Sequence, residues 1–478
     1  MQVISMVPVG RVCLMLVVAA SFALSGCSLA PRYERPDLPV SAVWPESARI
    51  SDEERDTADA AANRSWHTFF NDPAIIVLID TAIANNRDLR MALINIEKVR
   101  AQYWIQRADQ LPTINASGVA TNQYLNKAIS QRGEAVISRQ YQASVGFTSF
   151  ELDLFGRVRS LKESALQQFL ATEETAKSVQ VSLVAEVVQA YLQLTAQKEL
   201  LTLAQSTYEN RNKSYDLAKR MFDMGLTSQL TTNQAKMIAE EARVACAQFE
   251  SAVGQAENAL VMLLGAPIPE EVTLATNMRE IVMFPDLPPG LPSDLMQRRP
   301  DIVAAEHRLM SMNANIGAAR ANFFPSISIT GALGSIAPVY HDLFSRGAGT
   351  WLFEPRAVLP IFDTGRNWAT LKMSEADRDM AVAAYEKTIQ TAFREVADTL
   401  VRRATIGEQL NAQKSLLEAT QATYDLSQNR YEIGLDSFIN VLDAQRSLFS
   451  AQQGIINTVL LREVNALNLY KALGGGWE

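Results

Sequence analysis

Three histidines, three cysteines and no basic excess leave most active-site chemistries without parts. His67, His307 and His341 are far apart and lack ligand spacing, which speaks against a zinc site or a histidine-based triad. Cys13 and Cys27 fall in or beside an N-terminal export signal, so no intramolecular disulfide framework is expected. Cys246 lies between two alanines in a helical run, the setting of a packed thiol rather than a nucleophile. Glu151 and Asp153 sit at a strand end, where capping and loop solvation account for them. A net charge of −8 without a basic block argues against nucleic acid. The expectation is no enzyme, no metal and no cofactor.

Helix breakers are missing too. From Val158 to Phe222 there is neither proline nor glycine. Good helix formers fill that stretch, which at the helical rise is about 90 Å, more than a compact domain holds.

The start of the chain reads as a signal peptide, residues 1–26. Arg11 precedes the apolar run Val12 to Leu24, too short for a permanent span, and Ser25-Gly26-Cys27 follows. Leu24-Ser-Gly-Cys27 resembles a bacterial lipobox, which implies S-diacylglycerol and N-palmitoyl modification of Cys27. Ser28, in place of an aspartate, resembles lipoproteins sent on to the outer membrane. Acyl chains anchor a protein to a bilayer without making it span one. Residues 27–71 then form an extended arm rich in proline and small polar groups.

The rest is duplicated. A helix is expected from Asp72 to Leu111-Pro112, then strands at about 113–124 and 139–154 with a bulge near Ser149. Long helices follow over 157–264. After a proline-rich linker at 272–293 the pattern returns in 294–478, with strands at about 326–336 and 350–362 and long helices over 365–472. Ala319-Arg-Ala-Asn-Phe-Phe-Pro325 answers Gln106-Arg-Ala-Asp-Gln-Leu-Pro112, at an offset of 213. Gly156-Arg157 answers Gly365-Arg366, Gly225 answers Gly434 and Leu264-Gly265 answers Leu473-Gly474, all at an offset of 209. The first repeat thus spans 72–271, and a constant offset means duplication without insertion in the long helices.

Four strands of about ten to twelve residues each suit a tilted bilayer crossing. Four cannot close on themselves, and an open edge is not viable in lipid. Three copies would supply twelve strands and a water-filled lumen. The fold class expected is a membrane β-barrel plus a long α-helical barrel, built as a homotrimer of two-repeat chains. In the last helix Leu435, Leu442, Phe449 and Ile456 are spaced by sevens, a partial coiled-coil seam.

Two helical turns organise the chain, at Gly225 and Gly434. Each glycine suits the left-handed position that ends a helix, and Asp436 or Ser437 can cap the helix after Gly434. Asn440 and Asp443, three residues apart, share a face of that helix. Their counterparts in the first repeat are Thr231 and Gln234, so only the second turn carries the acid.

Glu151-Leu-Asp-Leu-Phe-Gly-Arg157, Arg299-Pro-Asp301, Asn315-Ile-Gly-Ala-Ala-Arg320 with Phe323-Phe-Pro325, Leu359-Pro-Ile-Phe362, Leu442-Asp-Ala-Gln-Arg446 and Tyr470-Lys-Ala-Leu-Gly-Gly-Gly-Trp477 carry a resemblance. The mature chain resembles the outer-membrane factors of tripartite efflux pumps, the OprM- and TolC-like type, and most of all their lipoprotein branch. The resemblance implies a passive, trimeric exit duct for drugs, solvents and other toxic compounds. It would be set in outer-membrane lipid, with a periplasmic extension. Its partners would be a periplasmic adaptor and an inner-membrane RND transporter that supplies the energy. It also implies a gate at the periplasmic tip, with Asp443 as ring residue, Asn440 one turn above, and Tyr431 and Asp436 holding the turn. Relatives with two aspartates at this spacing have a double acidic ring, whereas this chain would have one acid ring and one amide ring. Ducts for metal-ion export or type I protein secretion are compatible with the same motifs. A structural coiled-coil lipoprotein is the rival from another class.

Overall fold

The computed structural model describes residues 28–48, 65–130, 133–281, 284, 287–288 and 299–475. The signal peptide and Cys27 lie outside the described residues, as does Trp477. In chain order the elements are α1 Trp66–Phe69, α2 Pro73–Asn85, α3 Arg87–Ala108, β1 Asn115–Leu125, β2 Val136–Leu152, α4 Arg157–Asp223 and α5 Gln229–Leu264. The second half supplies α6 Pro300–Ala321, β3 Ser326–Ala337, β4 Gly349–Val358, α7 Arg366–Glu432 and α8 Phe438–Ala472. The duplication is plain in the lengths. α4 and α7 have 67 residues each, and α3 and α6 have 22 each. Among the described residues no helix is long and apolar enough to cross a membrane.

The chain divides into two compact units, and each draws on both repeats. The first holds the sheet, an antiparallel meander in the order β1-β2-β3-β4. The bulge expected near Ser149 is present. The register shifts between Phe147 and Phe150, and Ser149 takes a positive φ of 54° while its N–H donates to Thr330 Oγ1 at 3.1 Å. The shift keeps one side of the sheet apolar past the bulge. Val145, Leu333 and Trp351 stand in one row there, and Phe147 and Phe353 flank Gly331 in the next. Opposite, Ser117, Ser144, Gly334 and Thr350 make a polar, small-residue row. Leu333 and Trp351 are more than 70 % exposed, an apolar surface without cover in a single chain. β4 stops at Val358, where the expected strand runs to residue 362. Val358 pairs with Ser326, the first residue of β3, so residues 359–362 have no neighbouring strand among the described residues.

The arm in this unit is strapped to one face of α6. Glu306, Asn313 and Arg320, spaced by sevens, engage it in turn. Arg35 grips Glu306 with two bonds of 2.8 Å, and the Tyr33 hydroxyl donates to the same carboxylate at 2.9 Å. Asn313 donates to the Pro31 carbonyl at 2.8 Å and Arg320 to the Leu29 carbonyl at 3.3 Å. Burial and the neighbouring Glu306 carboxylate push the Tyr33 hydroxyl well above its ordinary pKa. Gly317 makes the approach possible, because a Cβ there would stand 2.7 Å from the Ala30 nitrogen.

In the second unit the helix expected to run unbroken from Asp72 is interrupted at Asn86. Its ψ of 132° ends α2, its Oδ1 accepts from Leu89 N–H at 2.9 Å to start α3, and its Nδ2 donates to the Leu263 carbonyl at 2.8 Å. The apolar period crosses this point undisturbed, which is why it hides the break. Asn86 is buried, so Asn86→Ala is expected to destabilise the fold by about 1–3 kcal/mol through a lost cap and an orphaned carbonyl. Thermal unfolding of the purified protein measures it, and an unchanged midpoint would deny the cap its weight. In the second repeat, Arg299 is buried but fully engaged, donating to Asp301, Glu395 and the Ala472 carbonyl at the end of α8.

Candidate functional site

The two turns lie in the second unit and match bond for bond. Gly225 and Gly434 have φ of 74° and 78°, the left-handed values glycine reaches without strain. Leu226 N–H donates to Met221 O, and Leu435 N–H to Arg430 O, both at 2.8 Å. This is the wide closing bond of a glycine-terminated helix. After the turn the copies diverge. Ser228 caps α5 by accepting from Thr231 N–H at 3.1 Å, whereas the Ser437 side chain makes no cap bond to α8. Asp436 is not the cap either, because Arg430 Nε binds its carboxylate at 2.5 Å and so clasps the turn across its mouth. That bond holds the Asp436 carboxyl below the usual carboxylate range.

Tyr431 joins the twins. Its ring packs 4.9 Å from that of Phe438 and its hydroxyl lies 4.0 Å from Met221 Sδ in the first turn. Asn440 and Asp443 are both exposed. Asp443 is not a bare acid, since Arg446, one turn on, reaches its Oδ1 at 2.6 Å. Leu442 and Ile456 of the heptad line are buried and Phe449 is half-buried, but Leu435 is 64 % exposed. Within one chain the seam takes hold only from Leu442. Leu226, the counterpart of Leu435, is as exposed, so each turn presents an uncovered leucine.

Sequence reasoning missed Arg430, Arg446, Met221 and Phe438. The two arginines had a signal, opposite charges six and three residues apart around a glycine turn. The Met221 contact had none, because it depends on how the two turns pack.

The model of the outer membrane efflux protein family matches residues 78–266 and 291–475, one match for each repeat. The chain belongs to the outer membrane efflux protein family. Its relatives include the antibiotic efflux pump outer membrane protein ArpC of Pseudomonas putida, 48 % identical over 97 % of this chain and 96 % of that protein. The toluene efflux pump outer membrane protein TtgC, from a strain of the same species, is 47 % identical over the same shares. Among solved structures, the open state of the Neisseria gonorrhoeae MtrE outer membrane channel is 35 % identical, with a TM-score of 0.84 over 95 % of this chain and 99 % of that one. As an outer membrane efflux protein the chain is an outer-membrane channel of an efflux pump, with a β-sheet part in the membrane and long helices. The duplicated architecture is the family's own, and the paired turns close its two long helical hairpins.

Proposed function

We propose that three copies of this chain form a passive duct through which a tripartite pump discharges antibiotics and organic solvents, gated by the turn at Gly434. The observation that carries it is the sheet. Its strands are of bilayer length, it has an apolar side and a polar side, and β1 and β4 each have one edge unpaired among the described residues. Edges of that kind cost several kcal/mol per unsatisfied group in lipid, and closure with further copies removes them. A barrel of twelve strands turns the Ser144 side to water and the Trp351 side to lipid. The duct catalyses nothing. Energy comes from an inner-membrane transporter of the RND type, and a periplasmic adaptor joins the two, with Leu226 and Leu435 as apolar contacts at the turns. Cys27 carries the acyl anchor, and the arm strapped to α6 fixes where that anchor sits. The antibiotic and toluene pumps to which its relatives belong favour organic cargo over metal ions or proteins.

At the gate, the Arg430–Asp436 clasp shuts the turn, Tyr431 ties it to Met221, and Asp443 with Asn440 faces the axis. The reading is tested by expressing the chain, with the adaptor and transporter encoded beside it, in a host stripped of its own outer-membrane factors. Restored resistance to toluene and to unrelated apolar antibiotics is expected. Restored resistance to metal ions alone would overturn it.

The clasp sets a pH expectation. Asp436 titrates below its ordinary range, so the stability it adds is present at neutral pH and is lost only as pH falls through that lowered value. Arg430→Gln should therefore raise antibiotic leak by the same factor at about pH 5 and about pH 8. A factor that changes between them would place the titrating group elsewhere.

A further inference from the structure

Arg211 is a buried cation with no acid bonded to it among the described residues. It stands in α4 where α5, α7 and α8 converge, and only 3 % of it is exposed. Its Nη1 donates to the Ile238 carbonyl at 3.2 Å, its Nη2 reaches the Gln445 carbonyl at 3.4 Å, and its plane lies 5.2 Å from the Phe449 ring. Nε has no partner among the described residues, and neither has the buried Oε1 of Gln445. A guanidinium offers five donors, so these two long bonds leave most of its capacity unused. Burial pushes its pKa down, the exposed Glu241 carboxylate opposes that through space, and the like charge of Arg446 adds to the downward shift. A buried charge without a bonded counter-charge costs several kcal/mol, and an acid or a bound counter-ion normally relieves it.

The second repeat has no charge at the matching position. The counterpart of Arg211 in the second repeat is Thr420, whose hydroxyl bonds carbonyls within its own helix. Arg211 also lines a cavity of about 240 Å³ whose walls include Ser206, Asn210, Tyr424, Gln445 and Gln452. Such a volume holds several waters, or an anion with part of its hydration. Its wall bears hydroxyl and amide donors and no carboxylate.

We infer that Arg211 holds a small monovalent anion of halide size in this cavity, where the four long helices meet. The site stands apart from the gate reading, because it needs only the packing of α4, α5, α7 and α8.

Bromide tests it. Crystals of the full-length protein grown in sodium bromide should give an anomalous peak in the cavity, in contact with the Arg211 guanidinium. In solution, the thermal midpoint of the detergent-purified protein should rise saturably with sodium bromide. It should not rise with sodium gluconate at equal ionic strength, because that polyhydroxylated anion is several times the size of a halide and cannot set a compact charge against the guanidinium. Arg211→Met should abolish both the peak and the bromide-specific rise. Absence of the peak from the wild-type crystals, or equal midpoints in bromide and gluconate, would overturn the inference whether or not the variant folds. Persistence of the peak in Arg211→Met would overturn it as well.

Discussion

In a Cys246→Ser background, Ile114→Cys and Ile361→Cys together are expected to convert most of the chain into a covalent trimer on mild oxidation. The expectation comes from the chain's own duplication. Within one chain Leu152 of β2 faces Ile327 of β3. If the second repeat meets the next copy as the first meets the second, the offsets of 209 and 213 carry that pair to Ile361 and Ile114 of a neighbour. Both are apolar side chains that nothing in one chain covers, 94 % and 69 % exposed. Directly opposed residues of an antiparallel pair have Cα atoms about 4.5–5.5 Å apart, within reach of a disulfide. The pairing also extends β4 past Val358, where one chain leaves it without a partner. Moving one cysteine to Asn115 turns it to the other side of the sheet and should abolish the bond. Each single-cysteine variant should stay monomeric on a denaturing gel. If the Asn115 pair links and the Ile114 pair does not, the two repeats do not share one mode of contact.

A second large effect is expected at the gate. Arg430→Ala with Asp443→Ala should admit vancomycin, which an intact outer membrane excludes, and lower the concentration that stops growth. Each bond is exposed and weak alone, because water screens it and long side chains lose freedom in making it. Threefold repetition changes the result. If each protomer's bonds shift the balance about twofold, three copies shift it about eightfold. The same arithmetic sets Tyr431→Phe lower, since its hydroxyl meets Met221 Sδ at only 4.0 Å and the ring against Phe438 is kept. An Arg430→Ala, Asp443→Ala strain that excludes vancomycin as well as the wild type does would remove the gate from this turn.

The class of fold was legible because duplication leaves a signal that no single element carries. A constant offset between Gly225 and Gly434 fixes two equivalent hairpins however ambiguous each helix is. The bulge at Ser149 was legible as well, since period-two alternation cannot change phase without an extra residue. The break at Asn86 was not, because α2 and α3 keep one apolar period across it. Nothing in that period tells that an asparagine side chain serves two helices. The end of β4 was misjudged for the reverse reason. Its residues favour a strand to position 362, but a strand also needs a neighbour, and among the described residues there is one only to Val358. At the site, the sequence placed Gly434, Tyr431, Asp436, Asn440 and Asp443 on one turn. It read Asp436 as a possible cap or a contact holding the turn and Asp443 as a ring residue, but not the arginines six residues back and three residues on that engage them. Arg211 carried no sequence signal, because its isolation arises from the meeting of four helices.

Single-channel recording from the purified full-length protein in planar bilayers bears most directly on the channel itself. Stepwise, ohmic conductance is expected, small in the wild type and several-fold larger with Arg430→Ala and Asp443→Ala together. Bilayers that stay silent with both proteins, despite their insertion, would contradict it.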